Sequence, residues 1–128
     1  MPTPYRLEFR SFGDELQVRI HGAQRSPENA LAAWVAIASE VRVRESKRLL
    51  AMSHVEGEPM QSDHLRGFFA SMAGLGMEGV RVAYVDMAGF RTPLMEIAEI
   101  LASEHGFCAR VFDNRIAAEL WLRHGRPD

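Results

Sequence analysis

Three short apolar runs, Arg48-Leu-Leu-Ala-Met-Ser53, Val80–Val85 and Phe107–Phe112, are each followed by a segment whose apolar residues recur every three or four positions. Short apolar runs read as strands, and the three-to-four spacing reads as amphipathic helix. A chain that repeats strand then helix must bring every strand back to the same end of one sheet. That requires parallel strands joined by right-handed crossovers.

The N-terminal segment adds a different unit. Tyr5, Leu7 and Phe9 alternate with Arg6, Glu8 and Arg10, and Leu16, Val18 and Ile20 alternate with Gln17, Arg19 and His21. Ser11-Phe-Gly-Asp14 between them supplies turn residues, so the two runs form an antiparallel hairpin. Ser26-Pro27-Glu28 opens the first helix with a hydroxyl cap, a proline and an acid in the first turn. Its stripe is read as Ala30, Trp34, Ile37 and Val41, widened by Leu31, Val35 and Ala38. Ser62 or Asp63 caps a second helix carrying Leu65, Phe68, Phe69 and Met72. Thr92-Pro93 opens a third, with Leu94, Ile97, Ala98 and Leu101 inward and Gly106 as its stop. Asp113 or Asn114 caps a fourth, with Ile116, Ala117, Leu120 and Trp121 inward. The element order β-β-α-β-α-β-α-β-α predicts an α/β fold. It has a five-stranded, mostly parallel sheet, an N-terminal antiparallel hairpin and four main helices in one domain over residues 1–128. The stretch from His54 to Gln61 reads as a polar loop, long for a strand-to-helix connection.

Composition narrows the function classes. A formal net charge of −2 gives nucleic-acid binding no bulk electrostatic support. Cys108 is the only cysteine, which excludes an internal disulfide and a cysteine-based zinc site. No apolar run approaches the roughly 20 residues of a membrane span. Met1-Pro-Thr-Pro-Tyr-Arg-Leu-Glu8 lacks the apolar core of a signal peptide, so a soluble, cytoplasmic domain is the expectation. Of the 15 basic residues only Lys47 is not arginine. Arginine is the better partner for carboxylates and phosphates wherever it clusters.

The strands alternate more than those of a sheet covered on both faces, which read as unbroken apolar runs. Leu7, Phe9, Leu16, Val18, Ile20, Leu50, Met52, Val80, Val82, Tyr84, Phe107, Ala109 and Val111 are assigned to one face. Arg10, Arg19, Arg81 and Arg110 are assigned to the other, with Leu49, Ala51, Ala83, Val85 and Phe112 between them. One dry and one mixed face suits a chain that winds steadily in one direction. The mixed face is read as solvated and partly covered by one helix. It is also a candidate surface for self-association, including a homodimer, or for a protein partner.

The segments Val80-Arg-Val-Ala-Tyr-Val-Asp86, Glu96-Ile-Ala-Glu99, Ala109-Arg-Val-Phe-Asp-Asn114 and Ala118-Glu-Leu-Trp-Leu122 resemble the small bacterial SpoIIAA-like proteins. These belong with the STAS domains and are related in fold to the lipid-binding CRAL-TRIO (SEC14-like) domain. The resemblance implies a βα superhelix with strands in sequential order and a non-catalytic role. That role is protein–protein regulation in one branch and apolar-ligand binding in the other. STAS anti-sigma-factor antagonists carry a phosphorylatable serine in an Asp-Ser-Ser-Gly-like motif, which this chain lacks. The matching position falls near Gln61-Ser62-Asp63, where Ser62 reads as a plain helix cap, so the phosphoswitch is not transferred.

Ligands of open α/β sheets bind outside the C-terminal strand ends. Ser53, His54, Glu56 and Glu58 follow one strand, Asp86, Phe90 and Arg91 the next, and Asp113 and Asn114 the last. With Ser62 and Phe68 these form the candidate rim for a small molecule or partner. His54, Glu56, Glu58, Asp63 and His64 include metal-ligand types, but no HxxxH or HExxH spacing puts two on one helix face. No metal and no cofactor are expected. Ser53, His54 and Asp86 contain the three types of a hydrolytic triad. Yet no Gly-x-Ser-x-Gly elbow is present, and adjacent strand residues point to opposite faces. Gly74-Leu-Gly-Met-Glu-Gly79 precedes a strand, the wrong order for a phosphate cradle. Met60, Phe68, Phe69, Met72 and Phe90 suit either a core or an apolar groove near segments 54–72 and 86–95. The leading expectation is thus a non-catalytic STAS-like regulatory or interaction module. The alternative is a binder of a lipid or other apolar small molecule, and a small enzyme comes third.

Overall fold

The computed structural model describes residues 5–23, 26–56, 62–87 and 93–124. The chain order is β1 (Arg6–Phe12), β2 (Glu15–Gly22), α1 (Pro27–Val43), β3 (Arg48–Val55), α2 (Ser62–Met72), β4 (Arg81–Asp86), α3 (Pro93–Glu104), β5 (Cys108–Phe112) and α4 (Arg115–His124). The five strands lie in sequential order, β1-β2-β3-β4-β5. β1 pairs antiparallel with β2, and the other pairs are parallel. This is the α/β architecture that the alternation of strand and helix requires.

The local signals explain the boundaries. Gly13 takes a φ of 59° in the hairpin turn, a left-handed angle that costs glycine no Cβ clash. Ser26 sits in extended backbone, and its Oγ accepts from the Asn29 N–H at 3.3 Å, with Pro27 next in line. Of the two candidate caps for α4, Asn114 takes the role, its Oδ1 accepting from the Ala117 N–H at 2.8 Å.

Two cores share the sheet. On one face, Leu16, Val18 and Ile20 of β2, Leu49 and Ala51 of β3 and Val82 of β4 pack against Ile37, Ala38 and Val41 of α1 and Met72 of α2. On the other, Leu50 and Met52 of β3 and Ala83 and Val85 of β4 pack against Ala118, Trp121 and Leu122 of α4. The central strands are therefore buried on both sides, which is why β3 is an uninterrupted apolar run.

Several sequence expectations are corrected here. Leu50 and Met52 face α4, and Leu49 and Ala51 face α1, the reverse of their assignment from alternation. Register sets this: Leu16 pairs with Leu49 and Val18 with Ala51, and laterally paired residues share a face. A strand apolar at every position carries no phase of its own. Val35 points outward at 45% exposure, and Ala33 takes its place in the stripe of α1. On α4, Ile116 and Leu120 are exposed at 74% and 58%, while Ala118 and Leu122 join Trp121 inside. β3 also runs on to Val55, so His54 and Val55 lie within the strand rather than in the loop read from His54 to Gln61. Among the described residues no helix is long and apolar enough to cross a membrane.

Candidate functional site

The face carrying α1, α2 and α3 contains a cavity of about 450 Å³. Strand ends supply its floor: Ile20 from β2, Ser53 and Val55 from β3, Val82, Tyr84 and Asp86 from β4, and Ala109 and Val111 from β5. Helices supply the roof: Ala30, Ala33 and Trp34 from α1, Leu65, Phe68, Phe69 and Met72 from α2, and Ala98 and Ala102 from α3. Tyr5 and Phe107 add two more rings.

The aromatic rings form a connected wall. Trp34 meets Phe68 edge-on at 6.4 Å and Tyr84 at the same distance. Phe68 meets Phe69 edge-on at 5.2 Å, and Phe69 approaches Phe107 at 6.2 Å. These ring spacings fall within the favourable range for aromatic pairs. Tyr5 is fixed at the cavity border by its hydroxyl, which accepts from the Ser26 N–H at 2.8 Å. Its ring lies so close over Gly22 that a Cβ there would come within 2.7 Å of it. The opening exists because helical positions facing these rings are alanines. Ala30, Ala33, Ala98 and Ala102 are too short to fill the space between helix and sheet.

Ser53 and Asp86 give this apolar space a polar corner. They are lateral neighbours across β3 and β4 and are 1% and 2% exposed. Both lie at the C-terminal ends of parallel strands, where such folds bind ligands. Of the proposed rim, Phe68 joins them in the cavity wall. Glu56 is exposed beyond β3, its N–H donating to the Gly22 carbonyl. Ser62 opens α2 as a helical residue, but its side chain is outside what is described, and Glu58, Phe90 and Arg91 lie outside the described residues.

His54 belongs to the opposite face. Its Nε2 lies 3.0 Å from Arg19 Nη1, and since a guanidinium only donates, His54 accepts with Nε2 and carries its proton on Nδ1. Its ring stacks on His21 at 4.8 Å, and His21 Nε2 lies 2.6 Å from Glu8 Oε1. Burial first, then the charges of His21 and Arg19, push the His54 pKa below its ordinary value of 6.5. The folded protein thus prefers neutral His54. The stability gained is present above pH 6.5 and is lost as pH falls through the lower folded value. Thermal melts from pH 7 to pH 5 are expected to fall less steeply for His54→Gln than for the parent. The glutamine keeps an acceptor for Arg19 and cannot titrate, so parallel curves would refute this assignment.

The four arginines read from alternation, Arg10, Arg19, Arg81 and Arg110, do share the α4 face by register, but different partners hold them. Arg10 lies 5.7 Å from the Phe12 ring centroid, and Arg19 meets His54. Arg81 and Arg110 lie 4.3 and 5.7 Å from the Trp121 ring centroid. α4 is further tied down by Arg123, which donates to both carboxylate oxygens of buried Glu15 at 3.0 and 2.9 Å.

Trp34, Tyr84 and Phe107 are site residues that sequence reading assigned to packing. The usable signal was the pairing of ring-bearing strands with alanine-rich helix stripes, which cannot close-pack. Among the described residues no three His, Cys, Asp or Glu side chains are grouped to hold a metal ion. No protein-family model matches the chain, and no curated protein matches it.

Proposed function

We propose that this chain is a non-catalytic binding module whose ligand is a small apolar molecule. The role is the one that its resemblance to the STAS and CRAL-TRIO proteins implies for the ligand-binding branch. The observation that carries this reading is the aromatic-walled cavity of about 450 Å³ with one buried polar corner. Small-molecule sites have this character: roughly 300–1,000 Å³, mostly apolar, with a few placed polar groups. Ser53 and His54 point to opposite faces of β3, which works against a hydrolytic triad of Ser53, His54 and Asp86.

Native mass spectrometry of the purified protein tests the reading directly. A bound species of a few hundred daltons, released on denaturation, is the expected result. A blocking variant adds a second test. Ala109→Leu adds bulk from β5 into the cavity, and it is expected to weaken uptake of an apolar probe at least about tenfold with stability unchanged or slightly higher. Uptake equal to the parent would sink the cavity as the site.

The regulatory, protein-interaction reading, the leading expectation from sequence, becomes the second one, supported by a specific observation. Ile116 and Leu120 lie one turn apart on the outer side of α4 at 74% and 58% exposure. An apolar pair on an otherwise polar helix face suits a protein partner or a second copy of this chain. The same native spectra separate the two readings, because self-association doubles the mass where a ligand adds a small increment.

A further inference from the structure

We propose that the outer edge of β5 is a docking strand for a partner protein, which adds an extended segment of alternating basic and apolar residues to the sheet. This goes beyond both readings above, since it uses neither a ligand in the cavity nor the outer side of α4. Among the described residues β5 pairs with β4 alone and is the last strand of the sheet. Backbone groups of a strand point alternately to its two sides. The Val111 N–H donates to Glu99 Oε2 at 3.3 Å, so it points away from β4. Ala109, two residues earlier, turns its N–H and carbonyl the same way. The two edges of the sheet differ. β1 carries Arg6, Glu8 and Arg10 at alternate positions, the kind of charge that blunts an edge. β5 reads Cys-Ala-Arg-Val-Phe, and Arg110 is its single charge.

A groove runs along this edge, and its two walls set the chemistry of the partner. One wall is α3, which presents Glu96, Glu99, Ile100 and Ser103. The other is Phe112 and Trp121, on the α4 side. A strand added beside β5 sends alternate side chains to the two walls. Those on the α3 wall meet two carboxylates. Among the described residues Arg110 is the one cation of the groove, and its guanidinium lies 5.7 Å from the Trp121 ring of the other wall. Lysine or arginine complements the α3 wall, and an apolar residue suits the aromatic one. Ile100, at 58% exposure, offers the stem of the basic side chain an apolar contact. A second copy of this chain is a poorer match. Pairing β5 with β5 about a two-fold axis sets each patch against itself, so Glu96 and Glu99 would face their own copies. Centred on its middle residue, that pairing would also put Arg110 opposite Arg110.

End-blocked fluorescent peptides of about seven residues, long enough to cover β5, test the assignment by anisotropy. One alternates lysine with valine, and its match alternates glutamate with valine. The lysine peptide is expected to bind at least about tenfold more tightly. Glu96→Gln combined with Glu99→Gln should cut that preference to about threefold or less, while glutamine keeps an acceptor for the Val111 N–H. N-methylated peptides separate strand pairing from plain charge attraction. Only one alternate set of peptide N–H groups can face β5. Methylating that set, either the lysines or the valines, should abolish binding, and methylating the other should leave it within about threefold. Equal effects of the two methylated forms overturn the proposal, as does a glutamate peptide that binds as well as the lysine one, or a lysine peptide that does not bind. Ala109→Pro removes the outward N–H. A parent that sediments as a dimer and an Ala109→Pro variant that sediments as a monomer would give the edge to a second copy and overturn it too.

Discussion

Replacing Trp121 with alanine is expected to lower the free energy of unfolding by about 4 kcal/mol, measured by urea denaturation at neutral pH. Trp121 is 9% exposed and is the largest side chain of the second core, where it meets Phe112 at 5.8 Å and packs with Leu50, Met52, Ala83 and Val85. Its removal leaves a void that α4, short and held at one sheet face, cannot close by itself. It also strips the ring from beneath Arg81, whose Nε and Nη2 are buried without hydrogen-bond partners among the described residues. Trp121→Phe provides the contrast. The indole N–H is likewise buried and unbonded, so losing it sacrifices no hydrogen bond. A ring remains for Arg81 and Phe112, and the cost should stay near 1 kcal/mol. Equal losses for the two variants would mean that indole size, rather than an aromatic face, holds this core.

The second large effect concerns one ion pair with unequal ends. Glu15 is 3% exposed, whereas its partner Arg123 is 41% exposed. Arg123→Ala strands a buried carboxylate to which, among the described residues, only Gln17 Nε2 still donates, at 2.9 Å. The expected loss is about 2 kcal/mol, below the 3–5 kcal/mol of a fully enclosed pair because water reaches the arginine end. Glu15→Gln leaves Arg123 free to turn into water and should cost less, about 1 kcal/mol.

The pH dependence carries a sign that separates these causes. Burial alone would raise the Glu15 pKa. Hydrogen bonds from Arg123 and Gln17, with the charges of Arg123 and Arg48, outweigh it and hold the pKa below 4.5. The contribution of the ionised pair is therefore complete above pH 4.5 and is lost as pH falls through the lower folded value. Without Arg123 only Gln17 and Arg48 oppose burial, so the folded pKa lies higher and less stability is lost on acidification. The difference between parent and Arg123→Ala should thus shrink on acidification from pH 6 to pH 3. A difference that grows toward low pH would contradict the pair as the origin of the effect.

Much of the architecture was legible because it rests on periodicities. The hairpin alternates cleanly at Leu7 to Arg10 and Leu16 to Ile20, and the Ser26-Pro27 start marks α1 to the residue. The phase of β3 was illegible for a physical reason. Leu49, Leu50, Ala51 and Met52 are all buried, so nothing in their order says which pair faces which core, and only pairing with β2 decides. α4 misled in the opposite way. Ile116 and Leu120 look like an inward stripe at helical spacing, yet Ala118, Trp121 and Leu122 form the buried set. The cavity was half visible. Phe68, Phe69 and Met72 suggested a groove and Ser53, Asp86 and Phe68 a rim, but no spacing along the chain says that strand ends form the floor of that groove. The sheet supplies it, by setting the C-terminal ends of β3 and β4 beneath α2. His54 separated from Ser53 because residues adjacent in a strand face opposite ways.

Sequential strand order bears on how the molecule is made. Every strand pairs with the strand next to it along the chain, so no strand has to insert between two that are already paired. As the chain leaves the ribosome, each new strand can add to the growing edge of what has formed, and the loops closed at each step are short. The final piece, α4, seals the second face only after β3, β4 and β5 are in place. Until then Leu50, Met52, Ala83 and Val85 lie open to water. Docking of α4 on the sheet is therefore the step at which the folding chain stops being sticky.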